Sequence, residues 1–186
     1  MSGLPDTWVS PEQYLTLEDE AESKSEYIDG VIYAMPGAMP LHSLIVANVI
    51  AELRSGLRGG RCRVYASDLK VTTPNRKRYF YPDASVICGE LLLTEDRKDI
   101  VMNPTVMIEV LTPGTAAYDR GPKFLSYQTI PSLEDYVLVS QDERRVESYR
   151  RQGESWLYTR IEDQDASLVI ASIGTELKLT EIYLGA

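Results

Sequence analysis

Two carboxylates interrupt apolar runs of the kind that form buried β-strands. Asp83 directly precedes the mostly apolar residues 84–88, and Glu109 lies inside the apolar run 106–111. A carboxylate among apolar side chains costs several kcal/mol unless it is paired or binds a metal. Lys123 follows Glu109 by 14 positions, after a Pro-Gly turn and within a helical pattern. Two acids and a nearby lysine predict a divalent-cation site with a cationic helper.

The chain is long enough for one domain, and its composition is that of a soluble globular protein. It has 186 residues, of which 44% are hydrophobic and 25% charged, so we expect a single domain over residues 1–186. No apolar run reaches the length of about 18 residues that a membrane span needs. Residues 1–8 lack the pattern of a signal peptide, so we expect a cytoplasmic location. Cys62 and Cys88 lack the paired spacing of a zinc site, and we expect two reduced, packed thiols.

The net charge of -9, with a pI near 4.7, counts against a protein that coats nucleic acid without specificity, because such binding depends on neutralising phosphates. The charge does not exclude a nuclease, since a local basic patch can hold the substrate. Two runs are candidates for that patch, namely Arg54, Arg58, Arg61 and Arg63, and then Arg76, Lys77 and Arg78. The alternative is that these are solvated charges of loops and helix ends.

Hydrophobic periodicity and turn signals predict an α/β domain with a mixed β-sheet flanked by helices. Ser10, Pro11 and Gln13 form a capping-box pattern that starts a helix ending near residue 20, and Asp29-Gly30 predicts a hairpin turn within residues 26–33. Helical spacing predicts further helices over residues 41–57 and 118–129. Strands are predicted over residues 63–72, 80–88 and 104–111. The C-terminal third is predicted to be an antiparallel meander over residues 135–139, 145–151, 156–161, 167–170 and 175–179.

The predicted strands and helix bring the acids and the lysine to one point. If the strands of Asp83 and Glu109 are neighbours, both carboxylates can face the same metal ion, and the backbone carbonyl of Val110 can add a ligand. The helix after the turn can fold back and bring the Lys123 ammonium to this site. There it can orient the attacking water or stabilise charge in the transition state. The alternative is a structural ion pair between Lys123 and one acid, with the other acid capping a loop.

Pro82-Asp83 followed by Glu109 resembles the PD-(D/E)XK nuclease superfamily, which has the restriction-endonuclease-like fold. Leu111 stands where that motif has its lysine. The wider pattern is similar to one family of that superfamily, the Uma-two family of endonuclease-like proteins, and the similarity covers nearly the whole chain. Its motifs here are Tyr27-Ile28-Asp29-Gly30, Met35-Pro36-Gly37 with His42, Tyr81-Pro82-Asp83, Asn103-Pro104, Glu109-Val110-Leu111, Thr112-Pro113-Gly114-Thr115, Tyr118-Asp119-Arg120-Gly121, Lys123-Phe124 with Tyr127, and Ile130-Pro131-Ser132-Leu133.

This resemblance implies a restriction-endonuclease-like core, a divalent metal such as Mg²⁺ or Mn²⁺ and a homodimer. It does not define the substrate, and DNA is the substrate that an endonuclease function predicts. It also implies that the motif lysine has moved from the strand to the following helix, where Lys123 stands. Asp83, Glu109 and Lys123 are therefore the implied catalytic residues, and Asp83, Glu109 and Val110 the implied metal ligands.

Further residues are candidates for the same site, each with a structural alternative. Glu26 stands where the superfamily often places an extra acid, or is a surface residue of the hairpin. His42, the only histidine, either supports the site or caps the helix that follows it. Asp68 either faces the site or lies on an edge strand. Tyr127 and Gln128 are candidates to support Lys123. For Tyr127 the alternative is a place in the hydrophobic core.

Three functions are consistent with these patterns. The first is a metal-dependent DNA endonuclease. The second is a non-catalytic dimeric binding protein derived from a nuclease, which the acidic charge favours, as do 12 tyrosines against two phenylalanines, a composition that suits interfaces. The third is a metal-dependent hydrolase of RNA or another phosphodiester, which requires the same site chemistry as the first.

Overall fold

The strands form two mixed sheets and a separate hairpin. The computed structural model describes residues 8–35, 37 and 39–186. Two segments that carry sequence-based predictions lie outside the described residues. They are residues 1–7, which lack the pattern of a signal peptide, and Pro36 of the Met35-Pro36-Gly37 motif. Among the residues that the structure describes, every helix is too short or too polar to cross a membrane.

The first sheet has the strand order β2-β1-β5-β4-β7 and carries helix α1. Ser10 caps α1 with both hydrogen bonds of the predicted capping box, and Asp29-Gly30 forms the turn between β1 and β2. Both features are local in sequence, and both predictions are confirmed. The elements are α1 (Pro11–Glu20), β1 (Ser25–Ile28), β2 (Val31–Ala34), β4 (Lys70–Thr72), β5 (Arg78–Phe80) and β7 (Ile100–Val101).

The second sheet has the strand order β11-β10-β9-β8-β6-β3. Strands β8 and β9 are parallel, and the other neighbours are antiparallel. The elements are β3 (Cys62–Ala66), β6 (Ala84–Cys88), β8 (Val106–Leu111), β9 (Asp135–Ser140), β10 (Val146–Gln152) and β11 (Ser155–Ile161).

Helices cover both faces of the second sheet. Helix α2 (Pro40–Gly56) lies on one face with α5 (Leu179–Ile182) and the hairpin of β12 (Ser167–Ile170) and β13 (Thr175–Lys178). A continuous helical segment lies on the other face; it consists of α3 (Ala116–Tyr118), a π-helical turn (Asp119–Lys123) and α4 (Phe124–Tyr127). The predicted α/β class with a mixed sheet and flanking helices is confirmed.

The central strand β8 is buried along its whole length. Val106, Ile108 and Val110 face the α2 side, whereas Met107 and Leu111 pack against α4. Because side chains alternate between the faces of a strand, Glu109 points to the same side as Met107 and Leu111. This alternation directs the Glu109 carboxylate at the helical segment that carries Lys123.

Two predicted strands are each divided between the two sheets. The predicted strand over 63–72 consists of β3 and β4, separated by a turn at residues 67–69, and the predicted strand over 80–88 consists of β5 and β6. Pro82 lies at the second division, where its missing N–H would leave a gap in a strand ladder. The predicted meander also needs correction, because only β9, β10 and β11 form it, while β12 and β13 pair with each other.

The prediction of two reduced thiols is wrong, because Cys62 and Cys88 form a disulfide. The two residues lie directly opposite each other in the antiparallel pair of β3 and β6. Such pairs bring the Cβ atoms to within bonding reach of two sulfurs. The spacing in the sequence did not reveal this, because the register of the two strands depends on the whole sheet.

Candidate active site

Three buried carboxylates surround the ammonium of Lys123. The Lys123 Nζ atom lies 2.9 Å from Glu26 Oε1, 2.9 Å from Glu109 Oε1 and 3.8 Å from Asp119 Oδ1. Glu26 comes from β1, Glu109 from β8, and Asp119 and Lys123 from the π-helical turn. The cluster therefore joins the first sheet, the second sheet and the helical segment at one point.

The helical segment holds Asp119 and Lys123 on one face. They are four positions apart, a separation at which helical side chains are neighbours. Pro122 lies inside the turn, where it has no N–H to donate to an α-helical hydrogen bond. Single π-helical turns of this kind occur frequently at functional sites.

Glu109 is held by two donors. Its Oε1 atom accepts a hydrogen bond from the Tyr127 hydroxyl at 2.8 Å and contacts the Lys123 ammonium. Burial raises the pKa of Glu109 well above its usual range; Lys123 opposes this change, and the carboxylates of Asp119, Asp83 and Glu26 add to it. Burial and the neighbouring carboxylates thus both favour the neutral form of Glu109, whereas Lys123 favours its charged form.

Lys123 remains charged in this environment. Burial alone would lower the pKa of the ammonium, but the charges of Glu109 and Glu26 outweigh burial and raise the pKa well above its usual value. The Lys123 side chain is only 6% exposed. A cation fixed at this position can stabilise negative charge that develops beside it.

Asp83 lies directly before β6, at the more accessible side of the cluster. Its Oδ2 atom accepts a hydrogen bond from the backbone N–H of Val110 at 2.8 Å and lies 3.2 Å from His42 Nε2. The side chains of Asp83 and His42 are 16% and 15% exposed, whereas that of Glu109 is 5% exposed. A substrate would therefore approach from the side of Asp83 and His42.

The hydrogen bond to Asp83 raises the pKa of His42; burial opposes this rise, and the Asp83 charge and the Val110 backbone add to it. His42 lies in the first turn of α2, so this contact ties the start of that helix to Asp83. The predicted link between His42 and the site thus has a direct contact in the structure.

The structure places the other sequence candidates in different environments. Tyr127 contacts Glu109, as described above. Asp68 lies in the turn after β3, where its side chain is 88% exposed and pairs with Lys24. It is therefore outside the cluster, because the predicted strand around it is interrupted by this turn. Gln128 accepts a hydrogen bond from Arg151 through its backbone carbonyl, and among the described residues its side chain forms no hydrogen bond with Lys123.

Sequence reasoning missed Asp119 and Tyr118. Asp119 is 4% exposed, and burial raises its pKa, with Lys123 opposing the change. The Tyr118 hydroxyl is buried and has no hydrogen-bond partner among the described residues. The available signal was the position of Asp119 four residues before Lys123 on a predicted helix.

The donor chemistry of the cluster fits a hard divalent cation. All candidate ligands are oxygen atoms. Burial is the main cause of the raised pKa of Glu109, and the charges of Asp119, Asp83 and Glu26 add to it, so a cation at this site would favour the charged carboxylate. Within the described part of the chain, no group of three His, Cys, Asp or Glu side chains converges as a ligand cage. Mg²⁺ does not require such a cage, because it usually keeps several waters and uses one or two carboxylates.

Comparisons with known proteins agree with this architecture. Residues 11–180 match the model of the Uma2 family, described as "Putative restriction endonuclease". The chain is 38% identical to the uncharacterized protein slr1290 of Synechocystis over 180 residues, which cover 95% of this chain and 92% of that protein. It is 34% identical to the uncharacterized protein sll1609 of the same organism over 157 residues, which cover 84% and 89%.

A solved structure has the same fold. It is a crystal structure described as "a putative nuclease belonging to DUF820" from Anabaena variabilis, with a TM-score of 0.78 and 23% sequence identity, covering 94% of this chain and 97% of that chain. The fold and the sequence resemblance are thus both confirmed, and the chain belongs to the Uma2 family.

Proposed function

We propose that this protein is a metal-dependent endonuclease that hydrolyses phosphodiester bonds of DNA with Mg²⁺ or Mn²⁺. The observation that carries the proposal is the Lys123 ammonium, buried between Glu26 and Glu109. A structural ion pair needs one acid, whereas this lysine has three around it. The surplus of carboxylates is the arrangement expected where a metal ion completes the charge balance.

We assign Asp83, Glu109 and the Val110 carbonyl as the groups that would hold the metal ion, with Glu26 as a supporting acid. The bound ion would polarise a phosphoryl oxygen and lower the pKa of its water. The N–H of Val110 and His42 fix the Asp83 carboxylate from two directions. Because the N–H belongs to the residue that follows Glu109, strand β8 aligns both acids.

We assign Lys123 the role of stabilising the negative charge that develops on the phosphate during the reaction. The contacts with Glu26 and Glu109 hold its ammonium in place before substrate binds, so little reorganisation is needed during the reaction. Tyr127 fixes Glu109 from the other side. A homodimer would present one such site to each strand of a duplex, and we include a homodimer in the proposal.

The test is cleavage of supercoiled plasmid by the purified protein with Mg²⁺ or Mn²⁺. We expect cleavage that EDTA abolishes, and we expect Asp83→Ala and Lys123→Ala each to lower its rate by about 10²–10³-fold, the usual loss for one group that stabilises the transition state. Parent-like cleavage by a folded Asp83→Ala or Lys123→Ala variant would contradict the assignment.

Asp68→Ala is the matched control for Asp83→Ala. Both substitutions remove one aspartate near the junction of the two sheets, but Asp68 is exposed and outside the cluster. Thermal melts of each variant separate a loss of chemistry from a loss of fold. A parallel panel of duplex DNA, single-stranded DNA and RNA under one metal condition separates the DNA endonuclease from a hydrolase of other phosphodiesters.

One observation favours a second candidate, a non-catalytic binding protein. Lys123 contacts both Glu26 and Glu109, and such contacts can satisfy these acids without a metal ion. This candidate predicts a folded protein that neither cleaves nucleic acid nor binds Mg²⁺. Stoichiometric Mg²⁺ binding that Asp83→Ala abolishes would exclude it.

A further inference from the structure

The four arginines at the C-terminal end of α2 and the start of β3 have exposed side chains without carboxylate partners. Arg54, Arg58, Arg61 and Arg63 are all exposed, and none forms an ion pair within the described part of the chain. Seven other arginines do pair with acids, namely Arg76, Arg78, Arg97, Arg120, Arg145, Arg150 and Arg160. The structure thus distinguishes the two basic runs of the sequence, because Arg76 and Arg78 of the second run pair with Asp96 and Asp29. Lys77 of that run is exposed and forms no ion pair with the described residues.

These four arginines, which we call the arginine groove, line two adjoining depressions. The larger, of about 790 Å³, lies between α2 and the edge strand β3 and includes Arg54, Arg58 and Arg63. The smaller, of about 300 Å³, includes Arg58 and Arg61. Cys62 lines both, so the disulfide to Cys88 fixes the backbone between Arg61 and Arg63.

Helix electrostatics account for only part of this cluster. Cations near a helix C-terminus are favourable, which explains Arg54 and Arg58 but not Arg61 and Arg63 on the loop and strand beyond. Four unpaired guanidinium groups repel one another unless an anion lies between them. In a chain with a net charge of -9, such a patch is also where a polyanion meets the least repulsion.

Helix α2 connects the arginine groove to the candidate active site. His42 in its first turn contacts Asp83, and Arg54 lies in its last turn. At a rise of about 1.5 Å per residue the two positions are about 18 Å apart along the helix axis. This length corresponds to about five base pairs of a duplex at 3.4 Å each.

We propose that the arginine groove binds the phosphate backbone of duplex DNA on one flank of the scissile bond. The inference rests on the proposed nuclease function and adds where the substrate is held. Guanidinium groups suit this role because they bind phosphate oxygens in a bidentate manner. The contacts are to the backbone, so the groove contributes affinity without sequence preference.

The test is the salt dependence of DNA binding in the Asp83→Ala background, which we expect to bind DNA without cutting it. Fluorescence anisotropy with a duplex of about 30 base pairs gives the binding constant at several NaCl concentrations. Each phosphate contact contributes about 0.9 to the slope of log K against log [NaCl]. The double substitution Arg54→Gln/Arg58→Gln is expected to lower the magnitude of that slope by about 1.8 and to weaken binding to unrelated sequences equally.

Arg76→Gln/Arg160→Gln is the matched control, because it removes the same charge from arginines with solvent access that are already paired with Asp96 and Glu162. Its slope should equal that of the Asp83→Ala parent. If Asp83→Ala binds DNA and the added Arg54→Gln/Arg58→Gln leaves its slope unchanged, the proposed role of the arginine groove is wrong and the proposed nuclease function stands. If the parent does not bind duplex DNA at all, both are overturned.

Discussion

Lys123 is surrounded by Glu26, Glu109 and Asp119, and all four side chains are buried. Removing one partner of a buried ion pair leaves uncompensated charge and typically costs about 3–5 kcal/mol. We therefore expect Lys123→Met to lower the free energy of unfolding by that amount near neutral pH, as measured by urea denaturation. Lys98→Met, at an exposed loop position, is the control and should change the stability little. A Lys123→Met variant as stable as the parent would show that the acids are neutral or hydrated without the lysine.

His42 allows the Asp83 contact to be tested directly, because it is the only histidine. The Asp83 hydrogen bond outweighs burial, so the pKa of His42 is raised above its ordinary value of 6.5. In metal-free protein, an NMR titration should give one histidine curve with a midpoint above that value. Asp83→Asn should lower the midpoint. An unchanged midpoint in Asp83→Asn would mean that the two side chains do not interact in solution.

The same contact makes a pH-dependent contribution to stability. A histidine whose pKa is higher in the folded state stabilises the fold fully below its unfolded pKa of about 6.5. The contribution decreases as the pH rises through the folded pKa. The difference in unfolding free energy between the parent and His42→Gln should therefore be larger near pH 5.5 than at pH 8.5.

At the scale of elements, the predictable parts are those with local signals. Ser10 and Gln13 determine the start of α1, and Asp29-Gly30 forms the β1–β2 turn, with a φ of 48° at Asp29 and 104° at Gly30. The division between β3 and β4 has no Gly or Pro signal, since Ser67, Asp68 and Leu69 occupy the turn. The chain changes sheets there because of tertiary pairing, which a local pattern does not contain.

The residues of the candidate site also fall into those that the sequence identified and those that depend on tertiary packing. The apolar runs around Asp83 and Glu109 identified two acids, because a carboxylate in a buried strand needs compensation. Asp119 lies on a helical segment whose π-helical turn depends on packing, and its burial was not visible in the sequence. The contact of Asp83 with His42 requires α2 to lie across β6, a placement that depends on the whole core.

The disulfide connects two strands of the second sheet, and its contribution to stability is measurable. In the loop-entropy description, closing a loop with a sequence separation of 26 residues contributes about 3.5 kcal/mol. Reduction should therefore lower the free energy of unfolding by about that amount. Cys62→Ser/Cys88→Ser should show the same lower stability and no response to reductant. Equal stability of oxidised and reduced parent protein would mean that the reduced unfolded chain is already restricted in this loop.

For the molecule as a whole, the candidate site links metal binding to folding. Asp83 lies where the chain passes from the first sheet to the second, Glu26 belongs to the first sheet, and Glu109 to the second. An ion held by these acids would connect both sheets only in the folded state. Binding to the folded state alone stabilises it by mass action, by about 2.7 kcal/mol at a ligand concentration 100 times the Kd.

We therefore expect Mg²⁺ to raise the melting temperature of the parent protein in a saturable manner, and to have little effect on Asp83→Ala. The net charge of -9 requires a control for general screening, because any salt reduces repulsion among surface acids. NaCl at matched ionic strength measures that screening, and Asp68→Ala, which removes an exposed acid, should keep the full response to Mg²⁺. If Asp83→Ala and Asp68→Ala respond equally, the stabilisation comes from screening, and the site does not bind the ion. If only Asp83→Ala loses the response, the ion binds where the two sheets meet.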